Sequence, residues 1–162
     1  MHSMCFIFAA CALAAAPLAA QQHDPSHSHG DSAYAAMQAR GAHVMGVDQY
    51  TSGHVFEPLP TGGRIELQRQ VDDSAGVAQV RHHLQDIVAA FGRGEFNAPF
   101  EVHATDVPGT KVMASHRDAI SYVMRLLPRG GEVVISSRDP EVVAAVHDFL
   151  AFQRREHRAP AH

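Results

Sequence analysis

The feature that most constrains the fold is a short motif that occurs twice. "LPTGGRIEL" begins at Leu59 and "LPRGGEVVI" at Leu127; they align without a gap, with their glycine pairs 68 residues apart. After the first pair, Ile65 and Leu67 alternate with Arg64, Glu66 and Gln68, the period of a half-buried strand. Gly62-Gly63 supplies residues that tolerate the positive φ of a tight hairpin. Around the second pair, "ISYVMRLLPRGGEVVISS" is again strand, Gly-Gly turn, strand. A helical pattern follows each hairpin. Ser74 reads as the N-cap of the first helix. Val77, Val80, Leu84, Ile87, Val88 and Phe91 share one of its faces, and Gly92 and Gly94 end it. Asp139-Pro140 opens the second helix in the favoured N-cap and N1 order. Val142, Val143, Val146, Phe149, Leu150 and Gln153 form its inward stripe.

Strand, hairpin, strand, helix, twice over, predicts an internal repeat with halves near 54–94 and 119–158. The architecture expected is an α+β two-layer sandwich, a four-stranded, mostly antiparallel sheet covered by two helices. Glu95–Ala119 joins the halves. It holds Pro99, Pro108 and Gly109 and is expected to contain one short extended piece around Phe100–Val102.

The N-terminal part reads differently. Residues 1–20 carry no Asp, Glu, Lys or Arg and end in small residues before a polar turn at Gln21. This is the pattern of a cleaved signal peptide, with a membrane anchor or a lipid anchor on Cys11 as alternatives. Export places the mature chain in the periplasm or outside the cell. Both cysteines, Cys5 and Cys11, fall in that segment, so thiolate catalysis and thiolate metal sites are excluded downstream. No transmembrane span is expected in the mature chain. The formal net charge of −4 argues against a nucleic-acid partner. Residues 21–53, rich in Gln, His, Ser, Gly and Asp, read as a His-rich disordered tail and linker. A short helix is allowed over Ser32–Arg40, with Gly41 as its stop. Residues 54–158 form the single domain.

The stretches "VMGVDQYTSGHVFEPLPTGGRIEL", "RHHLQDIVAAFGRGEFNAPFEVH", "VPGTKVM" and "FLAFQRREH" resemble a family of uncharacterised secreted bacterial proteins over roughly residues 44–158. Relatives there sometimes carry an aspartate carbamoyltransferase label. The chain is too small for that two-domain enzyme and lacks its Ser-Thr-Arg-Thr phosphate loop, so the resemblance implies export but no activity.

Histidine is the chemistry-bearing residue. Of 13 histidines, 12 lie beyond residue 20. Imidazole suits zinc, copper and nickel, and thioether suits reduced copper. Cleavage after Ala20 would leave Gln21-Gln22-His23 at the terminus. The α-amine, the Gln22 and His23 amides and the His23 imidazole then form a square-planar set, similar to the amino-terminal copper and nickel motif of serum albumins. His27 and His29 would supply or relay further copper. In the domain, His54, His103 and His116 are the residues expected to cluster on a metal. His82 reads as solvated, His83 and His147 as boundary residues, and His157 as a cation on a helix C-terminus. Met45 reads as an apolar anchor, and Met113 and Met124 as core fillers.

Ser115, His116 and Asp106 can be drawn as a catalytic set, but no nucleophile elbow accompanies them. Arg154, Arg155 and Arg158 read as a solvated helix face that completes the macrodipole, or as a dock for an acidic partner or lipid headgroup. The expected function is therefore a non-catalytic, transition-metal-binding protein, copper or nickel first. The alternatives are a protein- or small-ligand-binding module with no metal role, or an enzyme.

Overall fold

The computed structural model describes residues 25–47 and 49–160. The chain runs α1 (Pro25–Met45), β1 (Ser52–Leu59), β2 (Gly62–Arg69), α2 (Ser74–Gly92), α3 (Asn97–His103), α4 (Thr110–Ser115), β3 (Ile120–Leu127), β4 (Gly130–Ser137) and α5 (Pro140–Glu156). The four strands form one antiparallel sheet in the order β1-β2-β4-β3. Helices cover one face of it, giving the α+β sandwich expected. Among the described residues, no helix is long and apolar enough to cross a membrane.

Strands β3 and β4 begin and end 68 positions after β1 and β2. At the central seam Ile65 lies opposite Val133, its counterpart at that spacing. The helices are crossed relative to the hairpins. Helix α2 follows the first hairpin but lies mainly over β3 and β4; α5 follows the second and lies mainly over β1 and β2. The anchor points match: Arg81 of α2 donates to the Leu127 carbonyl at 2.9 Å, and His147 of α5 donates to the Leu59 carbonyl at the same distance. His147 is thus a helix-to-turn clamp.

The glycine pairs serve these approaches more than the turns. Only Gly62 of the four has a positive φ, +146°. A Cβ on Gly63 would sit 2.1 Å from Leu150 Cδ1 of α5, and one on Gly131 3.0 Å from Leu84 Cδ1 of α2. Gly130 lies against the Leu67 carbonyl, where a Cβ would come within 2.0 Å. The pairs let strand meet strand and let each helix seat a leucine on the sheet.

Both inward stripes are observed. Val77, Val80, Leu84 and Phe91 of α2, and Val142, Val146, Phe149 and Leu150 of α5, are buried with Phe56, Ile65, Leu67, Val133 and Ile135 of the sheet. Asp139 caps α5, its side chain accepting from the Glu141 N–H at 2.9 Å. Met113 is buried, and Met124 packs against the core. On the other face of the sheet, Arg64 bridges Glu57, Glu66 and Glu132 at 2.6, 2.8 and 3.2 Å.

Four expectations are corrected. The N-cap of α2 is Asp73, not Ser74, and the Asp73 carboxylate pairs with Arg69 instead of capping. Phe100–Val102 is not extended but lies within α3, with Pro99 in the first turn, where no intrahelical N–H is needed. The helix expected over Ser32–Arg40 spans Pro25–Met45 and passes through Gly41; Gly46, with φ +62°, follows its end. Residues 25–45 are therefore helix where a disordered tail was expected. Met37, Gln38 and Gly41 are buried, and Arg40 Nε donates to the Val102 carbonyl of α3 at 2.8 Å. The signal segment, its cleavage point and Gln21, Gln22 and His23 lie outside the described residues. His27 and His29 fall on α1, where only their backbone is described.

Candidate functional site

Three imidazoles meet where β1, α3 and the end of α5 come together. His54 points to the helix-covered face of β1, in register opposite Leu67 and on the same side as Phe56. His103 is the last residue of α3, whose C-cap Ala104 turns left-handed. His157 caps the C-terminus of α5, four residues after Gln153. The His54 and His157 rings stack with centroids 4.9 Å apart, and the His103 ring meets His157 edge-on at 5.2 Å. Phe56 and Phe152 wall the group, 5.8 Å from His54 and 4.9 Å from His103.

The cluster lines a cavity of about 60 Å³ whose wall is almost entirely apolar, and His83 and Met45 line the same cavity. Drug-sized ligands need roughly 300–1,000 Å³, so this space suits an ion or a very small molecule. Among the described residues no Asp, Glu, Lys, Arg or Cys lines it. His54 and His157 also face a larger outer groove of about 450 Å³, bordered by Arg69, Arg129 and Arg158. They form the partition between groove and cavity.

Burial keeps these imidazoles neutral. It pushes His54 down to about 4, with His83 adding a smaller effect, and His83 down to about 4, partly opposed by Asp86. Burial, with His54 and His103 beside it, pushes His157 down to about 2. His103 is lowered by burial too, and by the charge of Arg40, against the hydrogen bond it donates to Gln153 and the charge of Glu156. Its Nε2 lies 3.0 Å from the Gln153 carbonyl oxygen, to which it donates. That fixes the proton on Nε2 and leaves a lone pair on Nδ1, which is buried and without a hydrogen-bond partner. A ligating histidine held by its second nitrogen has this arrangement. Among the described residues, however, no group of three or more His, Cys, Asp or Glu side chains is placed so that it could hold a metal ion. The rings touch by their faces and edges.

Of the three domain histidines expected to converge, His54 and His103 do and His116 does not. His116 sits at the end of α4, its Nδ1 3.1 Å from both Ser115 Oγ and the Val112 carbonyl. Ser115 donates to that same carbonyl at 2.9 Å, and Asp106 pairs with Lys111 at 2.8 Å, so the three are not joined as a catalytic relay. His157 is the main correction: it is a half-buried imidazole stacked on His54 and held neutral, not a solvated cation. The signal for it was present, because Phe149, Gln153 and His157 are spaced by four and continue the α5 stripe. His83 is buried between Val80 and Leu84 on α2. His82 is exposed as expected. Arg158 is not a free face either: it pairs with Asp31 at 3.0 Å and lies over the Tyr34 ring at 4.1 Å, tying α1 to the end of α5.

No family model, no curated protein and no solved structure matches this chain.

Proposed function

We propose that this is an exported protein that binds a transition metal, copper or nickel first, and that the folded domain takes the metal at His54, His103 and His157, with His83 beside them. The observation that carries the reading is the convergence of imidazoles from β1, α3 and the end of α5 in an apolar cavity. Buried polar groups without partners weaken a core. His103 Nδ1 is such a group. Imidazole is a ligand for several divalent and monovalent metals. Binding requires the stacked His54 and His157 rings to turn their nitrogens toward a shared point. His116 has no part in this site.

Calorimetric titration of the protein, with His54→Ala, His103→Ala, His157→Ala and His116→Ala variants, tests the reading. One ion per domain is expected, lost in the first three variants and kept in the fourth. The touching rings favour a second reading, a pocket for a small apolar molecule; it stands if no metal binds.

The amino-terminal set Gln21, Gln22 and His23 belongs to the same proposal as a separate Cu(II) or Ni(II) site, with His27 and His29 as auxiliary ligands. Mass spectrometry fixes the terminus, and a square-planar Cu(II) absorption band lost in His23→Ala reports the site. We also read the halves as copies of one unit, which the shared 68-residue spacing of all four strands supports.

A further inference from the structure

We propose that two copies of this chain form a twofold dimer in solution, their β3 strands pairing antiparallel along their free edges to join both sheets into one. The proposal is independent of the metal-binding reading, because the histidine cluster lies at the opposite edge of the sheet, on β1.

The hydrogen-bond pattern defines the free edge. The Ser137 N–H donates to the Thr61 carbonyl and the Arg69 N–H to the Arg129 carbonyl, so the odd-numbered residues of β4 bond to β2. The even-numbered ones bond to β3, at Ser121, Val123, Arg125 and Leu127. The backbones of Tyr122, Met124 and Leu126 therefore face away from the sheet. Among the described residues their N–H and C=O groups have no partner.

Nothing guards this edge. The register of β3 with β4 runs from Ile120 to Leu127 without a bulge, and β3 holds no proline or lysine, the usual devices that keep an edge single. The other edge has one. Gln70 donates to the Thr51 carbonyl, so Ser52, His54, Phe56 and Pro58 of β1 face outward in the same way, and Pro58 has no N–H to offer. The residue 68 positions after Pro58 is Leu126. Where one edge carries a proline, the other carries a leucine that is 65 % exposed. Val123, on the open face of β3, is 47 % exposed.

The edge fits a second copy of itself. With Val123 on the twofold axis, Tyr122 and the partner's Met124 exchange two backbone hydrogen bonds, and the Leu126 N–H donates to the partner's Ile120 carbonyl; the axis repeats both. Leu126 then covers the partner's Ile120 on the helix side, and the two Val123 side chains meet on the open face. Arg125, the one charge on β3, falls opposite the partner's Ser121. A register two residues nearer the turn brings the two Arg125 side chains into diagonal contact, and four residues nearer sets them face to face, which like-charge repulsion disfavours. A shift the other way shortens the overlap. Pro58 keeps β1 out of such pairing, so the assembly closes at two chains and does not grow into a filament.

Sedimentation velocity and light scattering of the full chain test this. A species of twice the chain mass is expected, with a Kd below about 10 μM. Leu126→Pro gives β3 the residue that β1 has at Pro58, and Val123→Lys brings like charges together at the axis. Each should weaken the dimer at least about 10-fold while circular dichroism still shows a folded chain; if Leu126→Pro does not fold, Val123→Lys decides. Hydrogen exchange should find the Tyr122, Met124 and Leu126 amides protected in the unaltered chain and open in Val123→Lys. On a Cys5→Ser, Cys11→Ser background, Val123→Cys should cross-link under oxidised glutathione, since the two Cα atoms of such a pair lie about 4.5 Å apart, and Ser121→Cys should not. A chain that stays monomeric at about 100 μM, or a dimer in which those amides exchange freely and Val123→Cys does not cross-link, would overturn the proposal.

Discussion

Mild acid should destabilise this domain, and the histidine cluster sets how steeply. Take His54, His83 and His157, whose folded-state values are about 4, about 4 and about 2. In the unfolded chain each returns to about 6.5. Above that pH all three are neutral in both states and stability does not change on their account. Below it the unfolded chain takes up protons that the folded one refuses, so stability falls with pH, by up to about 1.4 kcal/mol per pH unit for each histidine. At pH 5 each has removed about 2 kcal/mol, and the three together about 6 kcal/mol. A domain of this size has only about 5–15 kcal/mol to lose. Urea unfolding of the metal-free protein at fixed pH values from 7.5 to 4.5 measures the effect. The unfolding free energy should be flat above pH 7, then drop with a slope approaching three protons. His157→Phe, which keeps an aromatic ring against His54, should reduce that slope by about one proton. A free energy unchanged between pH 7 and pH 5 would refute the claim that the fold holds these imidazoles neutral.

Three further outcomes follow from the packing and the site. Leu84→Ala should cost about 2–5 kcal/mol and His82→Ala less than about 0.5 kcal/mol, because Leu84 is 0 % exposed and the His82 side chain 76 %; equal effects in thermal melts would mean the face of α2 is misassigned. Gly130→Ala puts a Cβ against the Leu67 carbonyl and should cost about 1–3 kcal/mol by parting β2 from β4, read by urea unfolding. Gln153→Leu removes the acceptor that fixes the His103 tautomer and should weaken metal binding about 10- to 100-fold while the ligands stay in place, read by chelator competition.

Where side-chain periodicity was strong, the sequence was legible. The α2 and α5 stripes and the alternation in β2 identify the layers, because each of those elements buries one face against a continuous core. Helix α1 was underestimated for the opposite reason. Its buried residues, Met37, Gln38 and Gly41, include one amide and one glycine, so no apolar stripe announces it. It is held by specific contacts, Arg40 to Val102 and Arg158 to Asp31 and Tyr34, that no local pattern encodes. Helix α3 was hidden by its length and by Pro99. Half of the site was legible in His54 and His103. His157 and His83 were missed because a histidine at a helix end or at the margin of a stripe is ordinarily solvated, and whether it is buried depends on what the rest of the chain lays over it. For His157 part of that cover is the His103 ring at the end of α3, one of the elements read least well.

The crossed seating of α2 and α5 has a consequence for the smallest piece that can stand alone. A chain holding only β1, β2 and α2 would carry a helix whose main seat, on β3 and β4, is missing, and a hairpin stripped of α5. Two such chains could meet both needs at once by pairing antiparallel through their inner strands, each laying its helix across the other's hairpin. The separately expressed halves should therefore be unfolded apart and associate on mixing, and a single half should hold its structure only as a twofold dimer. In that dimer His54 would be present twice, while His103 and His157, which lie outside the half, would be absent from both copies. The shape of the sheet is thus a property that two short chains can share, and the histidine cluster is one that only the joined chain possesses.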